Sequence, residues 1–119
     1  MEKPWGHEEI FALVEGSYVG KLLFVTAGES LSLQYHHIKD ETIALVSGQV
    51  EIDLGSSADT LRAVSLSPGD SVHVLPGTLH RLRAVEDSVL VEASTAESGW
   101  REDIERLEDR YGRLGTTAP

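Results

Sequence analysis

Turn-forming residues divide residues 9–94 into short apolar segments, and this division limits the fold more than any other feature of the sequence. Val, Leu and Ile dominate the segments, while Gly, Pro, Ser and Asp separate them at the close spacing of an all-β sandwich or barrel. We therefore predict an all-β domain whose barrel covers about residues 9–94. The predicted strands are 10–14, 18–26, 31–36, 42–54, 60–66, 71–75, 80–85 and 88–93.

The C-terminal part of the chain has a different pattern. Ile104, Leu107 and Tyr111 are spaced to lie on one face of a helix, and charged residues fill the positions between them. Gly112 follows as a C-cap. The pattern predicts a short C-terminal α-helix over about residues 101–111, with its charges on a solvated face. A frayed tail is expected at 114–119.

The composition favours one compact domain without polyanionic partners. With 119 residues and no evident linker or repeat, we expect a single domain over 1–119. A net charge of -10, from 10 Lys and Arg against 20 Asp and Glu, argues against nucleic-acid and membrane partners. The chain has no Cys, so a metal ion would need nitrogen and oxygen ligands. No apolar run spans a bilayer and no signal region is evident, so we expect a cytoplasmic location.

Four polar side chains are candidates for one shared site. Alternation along a strand directs Gln34 and His36 to the same face. Glu41 lies five residues beyond His36, across a turn from which an adjoining strand can bring its carboxylate to the same point. His80 follows a proline and glycine turn that delivers it to the start of another strand.

At these positions the sequence resembles the cupin superfamily. The first cupin motif runs Gly, five residues, His, one residue, His, three or four residues, Glu, six residues, Gly. The residues that reproduce this spacing, with Gln in place of the first His, are Gly28, Gln34, His36, Glu41 and Gly48. The second motif matches Gly69, Gly77 and His80, with proline one position late at Pro76 and Ala84 where Asn is usual. The resemblance implies a cupin β-barrel or jelly roll, that is, a double-stranded β-helix.

A narrower resemblance extends over almost the whole chain. Segments 3–6, 18–21, 32–37 and 102–113 are similar to the C-terminal isomerase domain of type II mannose-6-phosphate isomerases, which is commonly fused behind a mannose-1-phosphate guanylyltransferase. The resemblance implies a metal-dependent sugar-phosphate isomerase that converts mannose 6-phosphate into fructose 6-phosphate through an enediolate. It also implies that Gln34, His36, Glu41 and His80 bind one divalent metal ion. This donor set suits Zn, Mn, Fe, Co or Ni.

The isomerisation needs a base and a binding site for the substrate phosphate. Because Glu41 is required as a metal ligand, the candidates for the catalytic base are Lys21, His37 and Glu92. Lys21 has the parity of an inward position, although a surface lysine is an equal alternative. For the phosphate, the resemblance offers Lys21, Lys39 and Arg113. Lys39 stands where the family has Arg, and Lys does not form the bidentate contact that Arg offers a phosphate.

Several alternatives stay open at this level. His7, His37 and His73 are more often structural or solvated residues than ligands, and Trp5 and Trp100 are expected to cover the edges of the core. The family's Arg-Ala-Glu-His-Trp reads Lys39-Asp40-Glu41-Thr42-Ile43 here. This altered neighbourhood of Glu41 favours, as an alternative function, a noncatalytic sugar-binding or regulatory cupin. Another metal-dependent cupin enzyme, such as a dioxygenase, is a further alternative. By resemblance to small cupins we expect a homodimer.

Overall fold

The fold is almost entirely β-structure, as the turn spacing predicts. A computed structural model describes residues 1–109, and short 3-10 turns at Ala58–Thr60 and Trp100–Glu102 are the helical elements of this part of the chain. The strands of residues 1–109 are β1 Glu2–Lys3, β2 Gly6–Val14, β3 Tyr18–Val25, β4 Leu33–Tyr35, β5 Glu41–Ser47, β6 Val50–Gly55, β7 Arg62–Leu66, β8 Ser71–Val74, β9 Leu79–Ala84, β10 Ser88–Thr95 and β11 Glu105–Glu108.

Two antiparallel sheets enclose the core. One sheet has six strands in the order β1-β2-β3-β10-β5-β8, and the other has five in the order β11-β4-β9-β6-β7. Both sheets contribute to one apolar cluster, in which Leu45 and Leu90 of the first sheet meet Val50 and Ile52 of the second. Burial of these side chains on both inner faces is what stabilises the two layers. Within the described residues, no helix is long and apolar enough to cross a membrane.

The predicted strand 42–54 is in fact two strands that belong to different sheets. β5 and β6 are separated by Gly48 and Gln49, and the chain passes there from the six-stranded to the five-stranded sheet. Gly48 has a φ of +98°, in the left-handed region that favours glycine. A Cβ at this position would lie 2.3 Å from Ser88 Oγ and 2.5 Å from the Asp87 carbonyl oxygen. The crossover therefore depends on glycine for both its conformation and its space.

Gly48→Ala is expected to destabilise the protein more than Gly69→Ala. Both glycines have nearly the same φ, +98° and +97°, but Gly69 has no atom within 4 Å of an added Cβ. The shared left-handed conformation costs about 1–2 kcal/mol for alanine, and the clash at Gly48 adds about 1–3 kcal/mol. Urea unfolding of the two variants measures the difference. Equal losses in the free energy of unfolding would show that contact with Ser88 does not restrict this turn.

The predicted C-terminal helix is wrong over the described residues. Residues 105–108 form β11, which pairs antiparallel with β4 so that Glu105 lies opposite Tyr35 and Arg106 lies opposite Gln34. Leu107, which the helical pattern places inward, is 44% exposed, whereas Arg106 is buried. Pairing with β4 supplies backbone hydrogen bonds to a strand that would otherwise be a sheet edge, and this outweighs the helical period. The remainder of that prediction and the tail at 114–119 lie outside the described residues.

Candidate metal centre and adjoining cavity

Two imidazoles and one carboxylate converge at the mouth of the barrel. His36 directly follows β4, Glu41 is the first residue of β5, and His80 lies in β9, so both sheets contribute. The Nε2 atoms of His36 and His80 lie 3.4 and 3.2 Å from Glu41 Oε1. One candidate ligand atom from each residue lies within 4.8 Å of the other two, and all three residues are buried.

The hydrogen bonds of the two rings leave their Nε2 atoms directed at Glu41. His36 Nδ1 donates to the Asp103 carbonyl oxygen over 2.6 Å, and His80 Nδ1 donates to the Thr78 carbonyl oxygen over 3.0 Å. A carbonyl oxygen can only accept, so each Nδ1 carries a proton, and when a ring is neutral its Nε2 lone pair faces the cluster.

The Glu41 carboxylate supplies the negative charge of the cluster. Both of its oxygens are buried, and among residues 1–109 neither has a hydrogen-bond partner. Two imidazole nitrogens and a carboxylate without hydrogen bonds form the donor set that borderline divalent metal ions prefer. His36, Glu41 and His80 can therefore hold a metal ion.

Gln34, the fourth predicted ligand, lies beside this cluster. It is the β4 partner of His80 on β9, and together with His36 it lines the cavity described below. Its Oε1 atom accepts a hydrogen bond of 2.6 Å from Ser32 Oγ. A carbonyl oxygen has a second lone pair, so this bond is compatible with a role in metal binding. Coordination by Gln34 stays a prediction.

A cavity of about 460 Å³ adjoins the cluster and has one wall on the six-stranded sheet. Lys39, in the loop before β5, also lines this charged side of the cavity, with its Nζ atom 3.7 Å from Glu41 Oε2 and 4.0 Å from Glu92 Oε2. Lys21 Nζ lies 3.9 Å from the same Glu92 oxygen and 3.4 Å from Glu8 Oε1. The charges thus alternate from the metal cluster outward, and each buried carboxylate of the wall contacts an amine.

This packing changes the pKa values of Glu92, Glu41 and Lys39. Burial raises the pKa of Glu92 to about 7, with the Glu41 carboxylate adding to the rise and Lys39 and Lys21 opposing it. Burial acts in the same direction on Glu41, but His36 and His80 outweigh it and hold its pKa well below the usual range. For Lys39, burial lowers the pKa, and the charges of Glu92 and Glu41 reverse this to give a net rise. Lys39 is therefore a cation at neutral pH.

The three candidates for the catalytic base differ in whether they line the cavity. Lys21 and Glu92 are cross-strand partners on β3 and β10, and both line the cavity, so the inward reading of Lys21 is the one the structure shows. The His37 side chain is 57% exposed, and its Nε2 atom lies 3.4 Å from Glu105. It does not line the cavity that Gln34 and His36 share. Arg113, expected at the phosphate, lies outside the described residues.

The aromatic residues that were expected at the core edge also reach this site. Trp5 and Trp100 are buried and both line the cavity. Lys21 Nζ lies 5.5 Å from the centroid of the Trp100 ring, and the Arg101 guanidinium lies 4.3 Å from it. Contacts of this kind hold cations by their attraction to the ring face. Trp100 therefore both covers the core and orients charged groups at the cavity.

Sequence reasoning missed several residues that line the cavity, Lys3 and Arg101 among them. Glu8 joins the charged wall, and Asp103 and Arg106 line the cavity from the C-terminal segment. The helical period assigned Arg106 to a solvated face. The alternation of Ile104, Glu105 and Arg106 is the signal for a strand that could have placed it, since Ile104 and Arg106 line the cavity and Glu105 is exposed. No local signal marks Asp103.

The two-sheet architecture with a His and Glu cluster at its mouth defines a cupin, the double-stranded β-helix class. A protein with a double-stranded beta-helix domain from Klebsiella pneumoniae superimposes with a TM-score of 0.73 over 92% of this chain and 90% of that one, at 16% identity. An RmlC-like cupin from Desulfovibrio desulfuricans gives a TM-score of 0.63, covering 76% of this chain and 81% of that one at 19% identity. These likenesses establish the fold.

The sequence comparisons then give the family. The sequence profile of the family described as Mannose-6-phosphate isomerase C-terminal matches residues 1–109. The alginate biosynthesis protein AlgA of Pseudomonas putida is 32% identical over 117 residues, which cover 96% of this chain and 23% of AlgA. Mannose-1-phosphate guanylyltransferase ManC of Salmonella typhimurium is 28% identical, covering 94% of this chain and 22% of ManC. The chain belongs to the family of mannose-6-phosphate isomerase C-terminal domains and spans less than a quarter of these relatives.

Proposed function

We propose that this chain is a metal-dependent isomerase of a sugar phosphate, with mannose 6-phosphate and fructose 6-phosphate as its substrate and product. The observation that carries the proposal is the continuity of one cavity between His36 of the metal cluster and the ion pair of Lys21 and Glu92. Isomerisation of an aldose needs polarised oxygens at C1 and C2 and a proton carrier beside them.

The donor atoms assign the residues that would hold the ion. His36, Glu41 and His80 supply two nitrogens and a carboxylate, and the Gln34 amide oxygen is adjacent. A bound divalent ion supplies positive charge next to the sugar oxygens. We propose Zn, Mn, Fe, Co or Ni, because the two imidazoles suit Zn, Fe, Co and Ni and the carboxylate and amide oxygens suit Mn.

The proton transfer falls to residues of the charged wall. Glu92 takes the proton from C2 of the aldose and returns it to C1, and the hydroxyl proton of O2 passes to O1, which gives the ketose without any net change in oxidation. Lys21 and Lys39, at 3.9 and 4.0 Å from Glu92, hold its carboxylate in place. Of the predicted bases, Lys21 lines the cavity together with Glu92. Its amine is therefore the alternative proton carrier.

The phosphate needs cations away from the metal cluster. Lys3 and Arg101 line the same cavity as Lys21, and Arg101 lies against Trp100. Together with Lys21 they offer a basic rim for a dianion, whose affinity gains from desolvation in a partly closed site. The net charge of -10 does not oppose this binding, because the local charge of the cavity decides it.

Metal-loaded protein is expected to interconvert mannose 6-phosphate and fructose 6-phosphate. The measurement is a coupled assay of the ketose phosphate after loading with each of the five ions, with a chelator control and recovery upon addition of metal. Unphosphorylated mannose is the matched substrate, and we expect its kcat/KM to be lower by at least about 100-fold, because two or more charge-assisted contacts are lost. Absence of turnover with every ion would refute the proposal, and tight binding without turnover would support a noncatalytic sugar-binding cupin.

A further inference from the structure

We propose that Asp103 is a positioning residue that fixes both His36 and Lys39 in the site. This inference rests on the metal-binding part of the proposed function. It concerns the five residues between β4 and β5, numbered 36–40, which contribute one metal ligand and one buried amine. Asp103 lies far away in the sequence, after the 3-10 turn Trp100–Glu102, and reaches this loop across the cavity mouth.

The backbone of the loop depends on the Asp103 carboxylate. Residues 36–40 are outside the strands, so their N–H groups have no sheet partner. Asp103 Oδ1 accepts from the His37 N–H over 2.7 Å, and Oδ2 accepts from the N–H groups of Ile38 and Lys39 over 3.0 and 2.9 Å. Three consecutive backbone donors thus converge on one carboxylate. Hydrogen bonds to an ionised acceptor are about twice as strong as neutral ones, so this contact defines the loop conformation.

The backbone of Asp103 acts on the metal ligand itself. Its carbonyl oxygen accepts the Nδ1 proton of His36 over 2.6 Å, which fixes the ring orientation and leaves Nε2 directed at Glu41. The side-chain bonds hold this carbonyl group beside the loop. One residue therefore sets both the backbone that carries the ring and the tautomer of the ring. Groups in this position commonly change metal affinity by about 10–100-fold when they are removed.

The same contact sets the position of Lys39. Its N–H group is held by Asp103 Oδ2, and its Nζ atom lies 3.7 Å from Glu41 and 4.0 Å from Glu92. A loop that shifts at residue 39 moves this amine away from both carboxylates. Loss of Asp103 is thus expected to affect two functions of the wall together, namely metal affinity through His36 and the charge beside Glu92 through Lys39.

The test compares metal affinity in Asp103→Ala, Asp103→Asn and a matched control, Glu105→Ala. Glu105 lies on the same segment and is exposed, and its carboxylate contacts the same loop at a side chain, the His37 ring, over 3.4 Å. Titration with Co²⁺ gives both a dissociation constant and a visible spectrum that reports the ligand geometry. Circular dichroism and thermal unfolding identify variants that fail to fold.

We expect Asp103→Ala to weaken Co²⁺ binding by about 10–100-fold and to alter the spectrum, with Asp103→Asn intermediate and Glu105→Ala within about 2-fold of the parent. In the metal-free protein, amide exchange at residues 37–39 should accelerate in the Asp103 variants alone. Unchanged affinity in a folded Asp103→Ala overturns the inference, and so does an equal loss in Glu105→Ala. If Asp103→Ala does not fold, unchanged affinity in Asp103→Asn overturns it. Metal binding without isomerase activity would refute the proposed reaction only, whereas a parent protein that binds no Co²⁺ refutes both.

Discussion

Glu41→Gln is expected to reduce metal affinity by more than about 100-fold and isomerase kcat/KM by at least about 1000-fold. Glu41 provides the carboxylate that both imidazoles face, and its replacement removes the negative charge while leaving the shape of the side chain unchanged. The loss exceeds the roughly 10–100-fold effect of removing a group that only supports a ligand. The measurements are metal content after dialysis, by elemental analysis, and turnover of mannose 6-phosphate.

The matched control for this substitution is Asp53→Asn. Asp53 is also a buried carboxylate, but it lies on β6, contacts Arg81 and Arg83 over 3.3 and 2.8 Å, and is not among the residues of the metal cluster. The Asp53→Asn variant is expected to lose stability, because Arg81 and Arg83 each lose an acidic contact and Arg81 keeps Glu108, while the metal content stays that of the parent. Parental metal content in Glu41→Gln would contradict the assignment of the site.

The strands and the convergence of the ligands follow from short-range information. Turn residues define the segment ends, and alternation along β4 predicts the shared face of Gln34 and His36, which both line the cavity. The short sequence spacing from His36 to Glu41 allows the next strand to return to the same point. His80 lies on β9, opposite Gln34. Each of these steps needs only the period of a strand and the length of a loop.

The errors occur where partners distant in the sequence decide the structure. The segment 101–109 has a helical period, but β4 offers an unpaired edge and β11 forms on it. The hydrogen bonds of Asp103 join residues more than 60 positions apart, so no local pattern reports them. The predicted strand 42–54 was too long because Gly48 reads as an ordinary strand glycine until its contact with Ser88 is known.

The residues around Glu41 that depart from the family pattern differ in whether they line the cavity. Thr42 is exposed on β5, and Ile43 is buried in the apolar core, so neither side chain is among the residues that line the cavity. Lys39 does line it and contacts both Glu41 and Glu92. Asp40 does not line the cavity either, so among residues 39–43 the departure from the family pattern that lines it is Lys39 in place of Arg. The lysine ammonium can hold a carboxylate in place, but it cannot bind a phosphate through two parallel hydrogen bonds as arginine does.

Glu92→Gln is expected to lower kcat by about 100- to 10,000-fold, the usual contribution of a positioned proton carrier. The amide keeps the shape of the side chain but cannot accept the proton from C2. Metal affinity should stay within about 10-fold of the parent, because Glu92 is not among the residues whose ligand atoms form the cluster. The second readout is exchange of the C2 hydrogen of mannose 6-phosphate with deuterated solvent, which should fall in parallel with kcat.

Lys21→Met distinguishes a carboxylate carrier from an amine carrier. Lys21 lies directly opposite Glu92 on the neighbouring strand, so both variants disturb the same ion pair and share its structural cost. If Glu92 carries the proton, Lys21→Met retains measurable hydrogen exchange at C2 and Glu92→Asp recovers part of the activity lost in Glu92→Gln. If exchange persists in Glu92→Gln and disappears in Lys21→Met, the amine is the carrier. In that case the role of Glu92 is to hold Lys21 and Lys39 in the cavity, for which its position between their two amines is also suited.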